Sequence, residues 1–210
     1  MKERGMIFNG EMVRAILDGR KTQTRRIIQS PAKNMQASGK KVIEYRDPGD
    51  KWYGEHVYSM RNQSGTWCDY TRDQFLAKCP FGAVGDRIWV RETWTHESID
   101  AESGSYSPDY RATANGQPLD CRWIPSIHMP RWASRITLEI TDVRVERLAS
   151  ISQEDAAKEG YPANPEPYGG SMDKWLWFRQ LWDSIYPEQS FSHNPWVWVI
   201  EFKRVEGSEA

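Results

Sequence analysis

Apolar residues recur along this chain at two spacings, and the switches between them mark out its elements. Met6-Ile7-Phe8 reads as a short opening strand. Asn9 is a good N-cap for the next segment, because Val13, Ile16 and Leu17 fall at i, i+3 and i+4 on one helical face. Gly19 stands where a C-terminal glycine stops a helix. Lys21 to Ile28 then alternates loosely and ends apolar, as a strand does, and Asp86 to Trp94 alternates cleanly. Ile136, Leu138 and Ile140, followed by Val143 and Val145, predict a long strand or a pair of strands. The change of parity near Thr141-Asp142 predicts a turn or a bulge. Ser152 with Asp155 has the form of a capping box opening a short helix that ends at Gly160. Ser171 can cap a second helix, whose apolar face takes Trp175, Phe178, Trp182 and Ile185 and which Pro187 closes. Trp196 to Phe202 alternates again and reads as a final core strand.

Between these elements the pattern dissolves twice. From Ser30 to Lys78, Pro and Gly punctuate the chain, and only Val42 to Tyr45 and His56 to Tyr58 look strand-like, which predicts one hairpin within an insertion. A second polar, irregular stretch runs from His96 to Pro130 and holds a short strand at Tyr110 to Ala114. The sum is an α+β fold in a single domain over residues 1–210: a small, mostly antiparallel β-barrel with short helices at its ends and insertions at about 30–80 and 96–130.

Composition narrows the classes. A chain of 210 residues can bury roughly 70% of its extended surface, so it needs no disulfide or metal to fold. Its 28 basic and 29 acidic side chains leave a net charge of −1, which argues against coating nucleic acid by bulk charge and leaves a local basic patch open. Cys68, Cys79 and Cys121 are an odd number without a CxxC pair, as expected of reduced thiols in a cytoplasmic protein. No apolar run is long enough for a membrane span. The eleven tryptophans lie mostly in or beside apolar patterns, so an aromatic-rich core is their plain explanation and a stacking platform for a base the sharper one.

Chemistry concentrates in Gly19-Arg20-Lys21-Thr22-Gln23-Thr24-Arg25-Arg26, at the predicted junction of helix and strand. A lysine crowded by cations loses its proton readily and can act as a base, a neighbouring threonine hydroxyl can be a nucleophile, and an arginine fork suits a carbonyl, phosphate or base edge. A solvated basic turn has the same composition. Residues three apart point to opposite faces of a regular strand, so Lys21 and Thr24 can cooperate only where the chain bends. Glu159 ends a short helix, where the macrodipole disfavours a carboxylate, and that cost hints at a role.

The helix followed by Gly-x-Lys-x-x-Thr-x-Arg, the Gly85-Asp86 turn before a strand, and the closing Trp-Val-Trp-Val-Ile-Glu-Phe resemble the ASCH domains. That resemblance implies a PUA-like barrel associated with RNA or nucleotide-derived ligands. Within the family the chain looks most like the branch of small bacterial N4-acetylcytidine amidohydrolases, which are about half its length. It implies Thr24 as nucleophile, Lys21 as base and Glu159 as proton shuttle on an N-acylated cytosine, without a cofactor. Arg26 would then hold the base or the developing oxyanion, with Arg20 as a further ligand contact. The segment Ser126 to Ile136 resembles phage and prophage proteins of the longer form. A non-catalytic module reading RNA or a modified nucleobase, with phage–host conflict as one setting for it, and a ribonuclease are the other functions the resemblance allows; the partners expected are a nucleoside, single-stranded RNA or a modified nucleobase, and no membrane. Trp132 and Arg135, beside a predicted strand start, are candidate ligand contacts, with a turn packed by Pro130 as the alternative. Cys68, Cys79, Cys121, His56, His96 and His128 lack the spacing of metal ligands, and no metal is expected.

Overall fold

Asn9 sets the first turn of the chain. Its Oδ1 accepts from the Met12 amide at 2.8 Å and caps α1 (Gly10–Leu17), after β1 (Glu3–Ile7). Gly19 leaves α1 with φ of 72°, a left-handed conformation glycine adopts without strain, and turns the chain into β2 (Gln23–Ile27). The computed structural model describes residues 1–29, 43–45, 58–62, 64–99, 106–114, 122–163 and 172–205.

One five-stranded sheet organises the molecule, in the order β1, β6 (Arg87–Arg91), β9 (Thr137–Arg147), β10 (Trp196–Val205), β2. The β1–β6 pair is parallel and the other three are antiparallel. The expected α+β, mainly antiparallel architecture is present. The outer strands β1 and β2 are not joined by a ladder among the described residues; the Arg26 guanidinium instead spans the seam and donates to the Ile7 carbonyl at 3.0 Å. The expected irregularity near Thr141 is a bulge within one long strand: Glu201 faces Asp142 and Phe202 faces Ile140, leaving Thr141 as the extra residue.

Alternation along β10 divides the interior in two. Trp198, Ile200 and Phe202 join Met6, Phe8, Val13 and Leu138 on the α1 side. Val197 and Val199 pack with Leu148, Ala156, Phe178 and Trp182 on the other face, beneath α3 (Gln153–Lys158) and α4 (Asp173–Ile185). Ser152 caps α3 by accepting from the Asp155 amide at 3.0 Å. The reciprocal half of the expected capping box is replaced, because the Asp155 carboxylate turns to Arg25 and Arg144. Met172 occupies the N-cap of α4 without a side-chain hydrogen bond, and Ser171, expected there, lies outside the described residues.

The first insertion carries more than one hairpin. β3 (Ile43–Tyr45), β4 (Tyr58–Arg61) and β5 (Trp67–Tyr70) form a three-stranded antiparallel sheet, followed by α2 (Arg72–Leu76). Val42, His56 and Val57 of the expected strands lie outside the described residues. In the second insertion β7 (Trp94–Ile99) pairs with β8 (Tyr106–Tyr110), while the residues after Tyr110 turn instead of forming the expected strand. There the Thr113 and Ala114 amides fold back on the Tyr110 carbonyl. No described helix is long and apolar enough to cross a membrane.

Candidate functional site

Three backbone stitches hold the cationic segment between the end of α1 and the end of α3. The Lys21 amide donates to the Ala15 carbonyl at 2.9 Å, the Thr22 amide donates to the Lys158 carbonyl at 2.9 Å, and Lys21 forms an isolated antiparallel bridge with Glu159. Gly160 permits the approach. Its φ is 106°, and a Cβ there would lie 2.9 Å from Ala15 Cβ and 3.3 Å from Lys21 Cβ. The pairing therefore depends on a residue without a side chain.

Alternation then aims the side chains. Lys21, Gln23 and Arg25 share a parity and turn toward α3. Thr24 and Arg26 pair with Ile200 and Trp198 and face the α1 side. Lys21 Nζ donates to Glu159 Oε2 at 2.8 Å and to the Glu159 carbonyl at 2.8 Å. Arg25 Nη1 takes the other carboxylate oxygen at 3.1 Å, while its Nη2 reaches Glu146 at 3.2 Å and Asp155 at 3.4 Å. Arg144 extends the network to Glu146, Asp142, Asp155 and Glu201. Its guanidinium is held in the charged form more firmly than usual; burial works against the charge, and the hydrogen bonds it donates to Glu146 and Glu201 overcome it. The cations Lys21 and Arg25 compensate the helix-end cost of Glu159 that is visible in the sequence.

Burial makes this cluster chemically unusual. Lys21 is 2% exposed, Glu159 4% and Thr24 1%. Burial pushes the Lys21 amine below its ordinary range; Glu159 pulls it back up, and Arg26 and Arg25 press it further down. A lysine so placed exchanges its proton with an adjacent carboxylate more easily than a solvated one.

Of the expected site residues, Lys21 and Glu159 meet directly. Thr24 lies on the opposite side of β2, and its hydroxyl accepts from Arg26 Nη1 at 3.0 Å rather than bonding to Lys21. Arg26 also lies over the Phe8 ring, 5.4 Å from its centroid. Arg20 straps the chain after Glu159, donating to the Gly160 and Tyr161 carbonyls at 3.1 and 2.9 Å and pairing with Asp18. Arg135 is bound bidentately to Glu92, both contacts 3.0 Å, and lies 3.9 Å from the Tyr110 ring centroid. Trp132 is 67% exposed and meets Trp94 edge-on at 5.5 Å. These last two stand on the turn before β9 and have no contact with the Lys21 cluster among the described residues.

Arg25, Asp155 and Arg144 are members of the cluster that the sequence reading passed over. Their signal was parity: Arg25 stands two and four residues from Gln23 and Lys21, and Arg144 and Glu146 alternate with Val143 and Val145. Beyond Arg26, between the β2 edge and the first insertion, opens a cleft of about 970 Å3. On the α4 side, Arg25, Arg26 and Glu159 are covered by Phe178, Leu181 and Trp182, leaving only about 10 Å3. No group of three or more His, Cys, Asp or Glu among the described residues is arranged to hold a metal ion.

No family model and no curated protein matches the chain. Among solved structures it is similar to the ASCH domain from Lactobacillus crispatus JV V101, at 12% identity and a TM-score of 0.41, over 97% of this chain and 79% of that one.

Proposed function

We propose that the chain acts on a nucleoside or RNA ligand and hydrolyses the amide of an N4-acylated cytosine, with Thr24 as nucleophile, Lys21 as base and Glu159 as proton shuttle. One observation carries the reading: Lys21 and Glu159, 138 positions apart, meet as a buried ion pair at 2.8 Å, one strand turn from a threonine whose oxygen an arginine already holds.

The chemistry follows from these groups. A proton passed from Lys21 Nζ to Glu159 Oε2 leaves a neutral amine. That amine takes the Thr24 hydroxyl proton as Oγ bonds to the acyl carbon. Because Arg26 donates to Thr24 Oγ1, the hydroxyl's own hydrogen is left to point elsewhere, and the same guanidinium favours charge developing on oxygen. The proton goes to N4 as the carbon–nitrogen bond breaks, which frees the cytosine amine. Water then attacks the Thr24 ester, giving its proton to the neutral Lys21 amine; Glu159 returns its proton to the departing Thr24 Oγ, and the carboxylic acid is released. The transfer from the Thr24 hydroxyl requires Lys21 to leave the Glu159 carbonyl and swing toward Thr24 when substrate enters.

A second reading, a module that binds a modified base without chemistry, is favoured by the Thr24–Arg26 hydrogen bond, which occupies the hydroxyl oxygen while Lys21 faces away. Incubation with N4-acetylcytidine separates the two. The hydrolase releases one acetate per cytidine formed, and Thr24→Ala abolishes release while costing about 1 kcal/mol of stability for one lost hydrogen bond. No release, together with retained binding of the modified nucleoside, replaces the first reading with the second.

A further inference from the structure

The cleft beyond Arg26 has one wall on β2 and another on the first insertion. Helix α2 ties the two together: Phe75, fully buried, stacks on Trp198 of β10 at 5.3 Å between centroids and lies 4.8 Å from Tyr58 of β4. Trp198 also lines the cleft, so part of its wall is a ring already held flat by a neighbour, and Tyr70, Phe81 and Tyr186 add to that surface. At about 970 Å3 the cleft lies at the upper end of the range of about 300–1,000 Å3 for small-molecule sites.

The cations on these walls are engaged within the fold. Arg26 donates to Thr24 Oγ1 and to the Arg25 and Ile7 carbonyls. Arg61 donates to the Gly65 carbonyl at 2.7 Å and lies over the Trp67 ring, among other contacts. The Lys78 ammonium stands 4.6 Å from the Tyr70 centroid. A cleft so built suits a flat, uncharged ring, and a polar group on its rim selects which ring. Asn62 is that group. It lines the cleft at the turn between β4 and β5. Its Oδ1 accepts from the Thr66 amide at 3.0 Å and from Ser64 Oγ at 2.7 Å. A backbone N–H only donates, so the atom it meets is the oxygen and the side-chain amide cannot turn over. Nδ2 keeps two hydrogens and, among the described residues, has no acceptor for them.

We propose that the cleft is a nucleobase site in which the ring lies against the aromatic wall and Asn62 Nδ2 donates to two neighbouring acceptors on its edge, the O2 and N3 of cytosine. Two hydrogens on one nitrogen match that pair. Uracil breaks it, because its N3 carries a hydrogen of its own. N4 follows N3 on the same edge, and acylation there leaves O2 and N3 able to accept. Arg26 lines the same cleft and holds Thr24 Oγ1, so N4 is presented at the Arg26 end. The direction of N4 rests on the amidohydrolase reading; the choice of an uncharged base with paired acceptors does not.

Calorimetric titration of the whole chain with cytidine, uridine and cytidine 5′-monophosphate tests this. None carries an acyl group, so a chain that releases no acetate leaves the measurement standing. Cytidine binds about tenfold more tightly than uridine, the worth of one hydrogen bond. The monophosphate gains less than about tenfold over cytidine, because a larger gain would need a charge-assisted hydrogen bond from the cleft. Asn62→Asp keeps an oxygen for the Thr66 amide and Ser64, loses both donors, and cancels the advantage of cytidine with the melting curve in place. Equal affinity for cytidine and uridine, binding of neither, a monophosphate about tenfold or more tighter than cytidine, or a cytidine preference that survives Asn62→Asp overturns the proposal.

Discussion

Two carboxylates are buried among the described residues, and their partners divide them. Glu92, 1% exposed at the end of β6, gives both oxygens to the Nε and Nη2 of Arg135. Its amide donates to Met129 Sδ at 3.3 Å. The pair is one-to-one and fork-to-fork, and its cation does not give up a proton. It reads as a clamp holding the turn before β9 against β6. Glu159 instead divides its oxygens between Lys21 and Arg25, whose side chains are both fully buried. One of those cations can lose its proton, and two face a single carboxylate. The clamp is saturated; the cluster around Glu159 sets a carboxylate against a cation that can give up its proton.

Removing each acid or its partner sharpens the contrast. Glu159→Ala leaves Lys21 and Arg25 buried without their shared counter-ion, and stability measured by urea unfolding falls by about 3–5 kcal/mol. Glu159→Gln keeps the shape, loses the charge and abolishes turnover. An unfolding curve that stays unmoved by Glu159→Ala would erase the distinction. At the clamp the vulnerable partner is the arginine's acid. Arg135→Ala leaves the buried Glu92 carboxylate without its cation, at a cost of about 2 kcal/mol. Acetate release from N4-acetylcytidine stays at the wild-type rate. A fall in turnover with the melting temperature held would transfer Arg135 to the reacting site.

Much of this frame is visible in the chain before folding. The strands that carry the sheet announce themselves by alternation, and α1 by its cap and its apolar face, because each is set by neighbours within a few residues. Lys21 and Thr24 stand out because their types suit one chemistry, and Glu159 joins them through the family resemblance. What sequence withholds is the direction of each side chain at an irregular junction. Lys21 sits in an isolated bridge outside β2 proper, so local pattern does not fix its aim; Gly160, 139 positions on, does, by letting α3 approach. Arg135 looks like a free cation because Glu92 lies 43 positions earlier. The third strand of the first insertion is hidden for a related reason. Trp67 to Tyr70 alternates exposed with half-buried positions, and such a strand leaves no apolar trace.

Titration separates the two sites, because only one of them holds a cation that loses its proton in the alkaline range. In the folded chain the Lys21 amine is held below its ordinary value of 10.5, first by burial and then by Arg26 and Arg25, against the pull of Glu159. Between that lowered value and 10.5 the unfolded chain binds more protons than the folded one, so stability rises with pH across this window. Below the window the cost of the buried ammonium is fully present, and above it the cost is gone. Lys21→Met removes this rise from the alkaline unfolding series, while Arg135→Met retains it, since an arginine does not titrate there. Identical slopes in wild type and Lys21→Met would mean that Lys21 keeps its ordinary affinity for protons.

The smallest effect tests the edge of the clamp. Trp132 is a large ring left mostly in solvent, and Trp94, which it meets edge-on, belongs to the satellite core with Met129 and Ala133. An edge-on pair of this kind contributes about 0.5–1.5 kcal/mol beyond its buried area. Exposure places Trp132→Ala toward the lower end, a shift of the melting curve near the limit of detection. The ring is also free to stack on a base, which is worth about 1–3 kcal/mol per base where it occurs. Oligocytidylate affinity therefore decides its role. Unchanged binding in Trp132→Ala confines recognition to the Arg26 side of the sheet and leaves the Glu92 region structural. A loss of tenfold or more, with the melting curve in place, extends the nucleic-acid path from the cleft to the turn before β9 and dissolves the division between the two buried acids.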